Sequence, residues 1–169
     1  ERLRTEGGGE GTLPWTLIPG LDAGDAGEKA FRLEPFCSIL SEVAIGSTDP
    51  VEFLEQAVTF CNERVWGTLA ATLVVHPATM RDPRTAAAVE DAIRRLRYGT
   101  VVVNLWPAVA FGMGTTPWGA APGSPLTDPQ SARGSVHNAL MLAHVDHAAA
   151  RAPLTRPVTL PSFPRPRPP

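Results

Sequence analysis

Cys37 and Cys61 are the only thiols in the chain, and a thiolate is a strong nucleophile toward a carbonyl carbon. The pair has neither metal-ligand spacing nor a disulfide framework. Cys61 falls on the apolar stripe of a predicted helix, where a thiol is ordinarily inert packing. Cys37 has no His or Lys close in sequence to lower its pKa. His137, His144 and His147 share one sector of a helix if a helix extends that far, with Asp146 beside them. Three imidazoles can hold zinc, but these spacings match no standard metal motif, and solvated histidines are the competing reading. Glu34 precedes an apolar run; a carboxylate there reads as solvated charge unless a ligand claims it. No Gly-x-Gly-x-x-Gly follows a strand and no phosphate loop occurs, so no nucleotide fingerprint is present.

The elements that must position these residues are legible in part. Asp49 can cap a helix, Pro50 fits its first position, and Glu52 stands three residues after the cap. Phe53, Leu54, Ala57, Val58 and Cys61 then recur at helical spacing. Asn62 and Gly67 bracket the exit. Asp82 and Pro83 open a second helix with an apolar stripe at Val89, Ile93 and Leu96. Its late arginines suit the helix dipole, and Gly99 is the expected stop. Strands are expected over Thr12 to Ile18, Ser38 to Ile45, Thr68 to Val75 and Thr100 to Asn104, the last fully buried. Strand, helix, strand, helix, strand is the order of an α/β layer with parallel pairing. Leu105 to Arg133 reads as a long Gly, Pro and Trp-rich loop, a length usually kept for function or disorder. A third helix is expected over Val136 to Val145, and an extended tail from Pro153.

Composition narrows the function classes. At 169 residues the chain is one domain or a large piece of a bigger protein. Hydrophobic residues at 43% and charged residues at 19% fit a globular fold. A net charge of −2 leaves no electrostatic footprint for nucleic acid or for an anionic membrane. Arg151, Arg156, Arg165 and Arg167 make the end locally basic, but prolines separate them, as in a solvated tail. No apolar run approaches the ~20 residues of a membrane span. Residues 1–10 lack the apolar core of a signal peptide, and a first residue of Glu fits a processed chain or a fragment. A reducing, cytoplasmic setting is the expectation.

Several segments, taken in order, resemble the aldehyde dehydrogenase family. Glu34-Pro35-Phe36-Cys37-Ser38-Ile39-Leu40 resembles that family's Glu-x-Phe-Gly-Pro-Val-Leu motif. The helix ending at Asn62 and the following Trp66-Gly67 resemble its Ala-x-x-x-x-Asn-x-x-(aromatic)-Gly-Leu segment. Tyr98-Gly99-Thr100-Val101-Val102-Val103-Asn104 resembles its Gly-x-Val-x-Val-Asn strand. Pro117-Trp118-Gly119 resembles its Pro-Phe-Gly-Gly step, and Ser131 to Gly134 stands where it has Ser-Gly-x-Gly. The likeness runs from about Trp15 to about Pro153.

The resemblance implies an α/β fold: the C-terminal part of an aldehyde dehydrogenase catalytic domain, a parallel sheet with flanking helices and a Pro-rich tail. Residues 1–135 would belong to that domain. Residues 136–152 would hold a helix and a strand returning toward the cofactor domain, and 153–169 the tail. It implies NAD or NADP as cofactor and a small aldehyde as substrate. By position Glu34 would hold the hydroxyls of the nicotinamide ribose, since one carboxylate can grip a vicinal diol. Phe36 would lie beside the nicotinamide ring, and Trp118 would line the aldehyde tunnel. In the family a cysteine thiolate attacks the aldehyde, the adduct gives a hydride to the nicotinamide, and an activated water releases the acid. That cysteine, its general base and the main dinucleotide domain lie well before the Glu34 motif, so they would lie before Glu1. The expected partner is therefore the upstream part of the same enzyme or a sister subunit. Cys37-Ser38 in place of Gly-Pro, and Ala132-Arg133 inside the last motif, mark a divergent branch. An acyl-CoA reductase of the same superfamily is a close variant. The non-enzymatic reading is an inactive relic or assembly module, with Ala148 to Leu160 adding a strand to a sister subunit.

Overall fold

The computed structural model describes residues 3–4, 9–125, 127, 135–136 and 145–154. Two sheets of three strands form the body. In the first, β1 (Leu3–Arg4) runs antiparallel to β2 (Thr16–Leu21), and β2 runs parallel to β3 (Ile39–Val43). In the second, β4 (Ala70–Leu73), β5 (Thr100–Val103) and β8 (Ala148–Arg151) are all parallel, with β5 central. Helix α1 (Pro50–Arg64) leads into β4, and α2 (Pro83–Arg95) crosses from β4 to β5. The α/β class expected from the element order is present.

Both long helices start for the reason their sequences give. Asp49 accepts hydrogen bonds from the Val51 and Glu52 amides at 2.9 and 3.1 Å. Asp82 accepts from the Thr85 amide at 3.0 Å and the Thr85 hydroxyl at 2.6 Å. Each carboxylate supplies orphan amides of a first turn and offsets the positive end of its helix dipole. Arg84 joins the two helix starts through a 2.7 Å ion pair with Asp49. That hydrogen bond, with the capped amides, holds the Asp49 carboxyl below its ordinary pKa.

The core lies between the helices and one face of the second sheet. Leu54 and Val58 of α1 meet Val89 and Ile93 of α2 over Val101 and Val103 of β5. The i, i+4 spacing on the helices and the i, i+2 spacing on the strand bring these side chains to one layer. Phe53, grouped with that stripe from spacing alone, turns to solvent instead. All four β5 residues are buried, as a strand covered on both faces must be. Thr100 stands among them with a hydroxyl that has no hydrogen-bond partner among the described residues.

Several expectations change. α2 stops at Arg95, before Gly99, and the closing group is Asn62: its Nδ2 donates to Arg95 O at 2.8 Å, and its Oδ1 accepts from Arg97 N at 2.9 Å. Gly99 serves close approach, because a Cβ there would overlap the Gly119 carbonyl. The 105–133 stretch is not all loop: it holds α3 (Ala108–Gly112) and β6 (Trp118–Gly119). β6 pairs antiparallel with β7 (Ser135–Val136), so Val136 is in a strand rather than at the start of a helix. Residues 137–144 of that expected helix lie outside the described residues. Ala148–Arg151 forms a strand that pairs parallel to β5 at the edge of the second sheet. No helix among the described residues is long and apolar enough to cross a membrane.

A buried hydroxyl without a partner forfeits its hydration, at about 1–3 kcal/mol. Thr100→Val keeps the β-branched shape and removes that penalty. Urea unfolding of T100V should show a stability gain of about 1 kcal/mol or more at an unchanged denaturant slope. A loss of stability would show that the hydroxyl has a partner in the folded protein.

Candidate functional site

Glu34 owes its place to a short anchored segment between β2 and β3. Glu28 caps a 3₁₀ turn (Lys29–Phe31) by accepting from Ala30 N at 2.8 Å. The buried Phe31 ring meets Phe60 of α1 edge to face, centroids 5.0 Å apart. Trp66 N then donates to Phe31 O at 2.7 Å. These contacts pin the segment to the exit of α1, three residues before Glu34.

The pin opens a cleft of about 550 Å³ between the two sheets. Its walls include Phe31, Leu33, Ile39, Trp66, Leu69 and Tyr98, and Glu34 stands at its mouth. The Glu34 side chain is exposed and makes no hydrogen bond or ion pair among the described residues. Tyr98 is held by its hydroxyl, which donates to Cys61 O at 3.2 Å. Burial, with a smaller contribution from Cys61, pushes the Tyr98 pKa up to about 12, so the phenol stays a neutral donor near pH 7.

The other candidates lie elsewhere. Phe36 does not line this cleft; it is 85% exposed with φ of 45°, a left-handed conformation uncommon for an aromatic residue. Trp118 sits on β6 with its ring edge-on to Phe111, centroids 5.6 Å apart. It also stands outside the cleft, although the neighbouring Gly119 packs against Gly99, next to Tyr98. Glu34, Phe36 and Trp118 therefore do not converge on one cavity within this chain.

The thiols differ. Cys37 is exposed. Cys61 is half-buried, and burial pushes its thiol pKa up, against use as a nucleophile. Cys61 lines a second cleft of about 360 Å³, together with Arg97, Asp146 and His147. His137 and His144 lie outside the described residues, and among the described residues no group of His, Cys, Asp or Glu is arranged to hold a metal. His76 uses its ring Nδ1 to accept from Ala78 N at 3.1 Å.

Asn104 is the functional-looking polar residue whose role is architectural. At φ of 56° it turns its side chain back onto Val75, accepting from Val75 N at 2.7 Å and donating to Val75 O at 2.9 Å. This clamp joins the C-terminal ends of β4 and β5. The capping role of Asn62 was not predicted from sequence; an Asn at a helix exit was its only signal.

Chemically, the 550 Å³ cleft offers the unpaired Glu34 carboxylate over a mostly apolar, partly aromatic wall that also includes Glu28, Lys29 and Ser41. A carboxylate of this kind can accept both protons of a vicinal diol, and the wall can shed water from a flat ring. Neither cysteine nor histidine lines this cleft among the described residues, which leaves it without a thiol nucleophile or an imidazole base. Comparisons with protein-family models, with curated proteins and with solved structures found no match to this chain.

The Phe36 backbone supplies a test. A left-handed non-glycine residue carries roughly 1–2 kcal/mol of strain, and the exposed ring gains little from packing. Phe36→Gly relieves the strain but frees the unfolded chain by about 0.4–1 kcal/mol. Thermal unfolding should find F36G unchanged or up to about 1 kcal/mol more stable, while Phe31→Ala loses about 3 kcal/mol. An F36G loss as large as that of F31A would mean that Phe36 packs against something in solution.

Proposed function

We propose that this chain forms part of an NAD(P)-dependent aldehyde dehydrogenase: the C-terminal part of the catalytic domain, with the catalytic thiol supplied by another segment. The observation that carries the reading is the unpaired Glu34 carboxylate at the mouth of a cleft walled by Trp66, Leu69 and Tyr98. Glu34, Trp66 and Tyr98 come from three separate segments that resemble family motifs, and the fold brings them to one cavity.

The fit to the cofactor is partial and specific. Glu34 would accept the hydroxyl protons of the nicotinamide ribose, and the cleft has room for a ribose and its ring. The bound nicotinamide would supply a hydride acceptor for the aldehyde carbon. Leu69 and Tyr98 would shed water from the cleft wall, with Trp66 at its exposed rim. Phe36 stands on the same loop as Glu34, its exposed ring available to a cofactor that extends beyond the cleft. Trp118, braced by Phe111, would line the aldehyde passage once the missing wall is present. Cys61 is disfavoured as nucleophile by its burial, and Cys37 by its place outside the cleft.

The alternative is an inactive assembly module. What favours it is the amount of apolar side chain left exposed, including Trp15, Leu40, Trp106 and Met113. Apolar side chains left exposed in this number fit a chain that another polypeptide covers.

The deciding experiment is aldehyde-dependent NAD(P)H production, measured on this chain alone and on a polypeptide that adds any in-frame upstream coding sequence. The chain alone should be silent and the longer polypeptide active. In the active form, Glu34→Gln should raise KM for the cofactor about 10 to 100-fold, the worth of a charge-assisted hydrogen bond, with a smaller effect on kcat. Activity from the chain alone would overturn the division of labour and point to Cys37 or Cys61. Silence from both would favour the assembly module.

A further inference from the structure

The cleft that holds Glu34 also holds a cation. Lys29 opens the 3₁₀ turn that Glu28 caps, and Lys29 and Glu34 line the same 550 Å³ cavity. Lys29 is exposed and makes no hydrogen bond or ion pair among the described residues. Arg32, between the two in sequence, is already engaged with the Ala26 carbonyl. Glu28, the other carboxylate of the lining, accepts from Ala30 N at 2.8 Å. Ser41 adds a neutral hydroxyl. Among the described residues the cleft therefore presents one unengaged carboxylate, Glu34, and one unengaged ammonium, Lys29. The two are not paired with each other, so each is open to a ligand.

We infer that Lys29 receives the phosphate of the nucleotide whose ribose Glu34 holds, so that the cleft selects a phosphorylated nicotinamide riboside over the unphosphorylated one. The inference rests on the reading of Glu34 as a ribose ligand and adds a specificity residue to it. Three observations carry it. The first is chemistry. A ribose phosphate bears a vicinal diol and a phosphate on one small ring, so its site needs an acceptor and a cation within one cavity, and Glu34 and Lys29 supply them. An ammonium with three donors on a flexible stem suits a phosphate as a point charge, without the fixed fork of an arginine. The second is charge balance. The oxidised nicotinamide ring is cationic and the phosphate anionic, which matches a lining of Glu28, Glu34 and Lys29. The third is support. Phe31 lies between Lys29 and Glu34 and is pinned by the Phe60 ring and by Trp66 N. Both residues thus stand on one anchored segment, and the scaffold bears part of the cost of ordering them. Five residues of chain span at most about 18 Å, which keeps the two groups within reach of one ligand.

Nicotinamide mononucleotide and nicotinamide riboside differ by that phosphate alone, so the pair separates the two roles. Each is titrated into the full chain and its affinity read from amide chemical shifts. The mononucleotide should bind about tenfold more tightly than the riboside, the lower end of what a hydrogen bond to a charged group contributes. Lys29→Gln should weaken the mononucleotide about tenfold, to the level of the riboside, and leave the riboside unchanged. Lys29→Arg should keep most of the preference, because it keeps the charge. Glu34→Gln should remove the shifts for both ligands. Thermal unfolding of K29Q should match the native chain, since the Lys29 side chain is exposed. Equal affinity for the two ligands, unchanged in K29Q, would overturn the role of Lys29 and leave that of Glu34 standing. An equal loss of both ligands in K29Q would also overturn it, because Lys29 would then act on the fold rather than on the phosphate. Binding of neither ligand to the native chain would overturn the reading of Glu34 and this inference with it.

Discussion

Burial of β5 is the constraint on which the remaining structure depends. Thr100 to Val103 are all buried, with Val102 and Thr100 at 0% exposure, and β4 and β8 pair with this strand from either side. Each valine removed from water contributes roughly 1.5–3 kcal/mol, so three in succession stabilise the fold more than any surface ion pair in it. Val101 and Val103 face the helices, which fixes where α1 and α2 must lie. The Asn104 clamp then carries the rigid end of β5 across to β4.

The candidate cleft follows from that geometry. Once α1 is set over the sheet, Phe60 presents an edge to Phe31, and the backbone bond from Trp66 N to Phe31 O fixes the loop that carries Glu34. Glu34 is thus held through its backbone neighbours while its carboxylate stays exposed. Rigid support under an unpaired polar group is what a binding residue requires, since the scaffold rather than the ligand bears the cost of ordering. The aromatic side chains of Trp15, Phe36 and Trp106 stand exposed among the described residues.

Local chemistry made part of this legible in the sequence. Asp49-Pro50 and Asp82-Pro83 announced both helix starts because capping is decided within four residues. The β-branched run at Thr100 to Val103 announced a strand buried on both faces. What failed was contact between distant segments. Gly99 looked like a helix stop, but its lack of a side chain serves the Gly119 backbone, about twenty residues on. Asn62 marks the exit of α1, as read from the sequence, but its second role as the cap of α2 was not legible. Trp118 looked like loop and is in a strand, because its pairing partner Val136 is remote in sequence. At the candidate site the separation of Glu34 from Phe36 and Trp118 was not legible, since motif order carries no information about which walls a cavity shares.

The central claim is that the Glu34 cleft holds the nicotinamide half of a dinucleotide. The most direct measurement is amide chemical-shift mapping of the isolated chain during titration with nicotinamide mononucleotide. Saturable shifts should gather at Glu34, Trp66 and Tyr98 and disappear in Glu34→Gln. An unchanged spectrum at millimolar nucleotide, or shifts confined to the smaller cleft around Cys61 and His147, would contradict the claim.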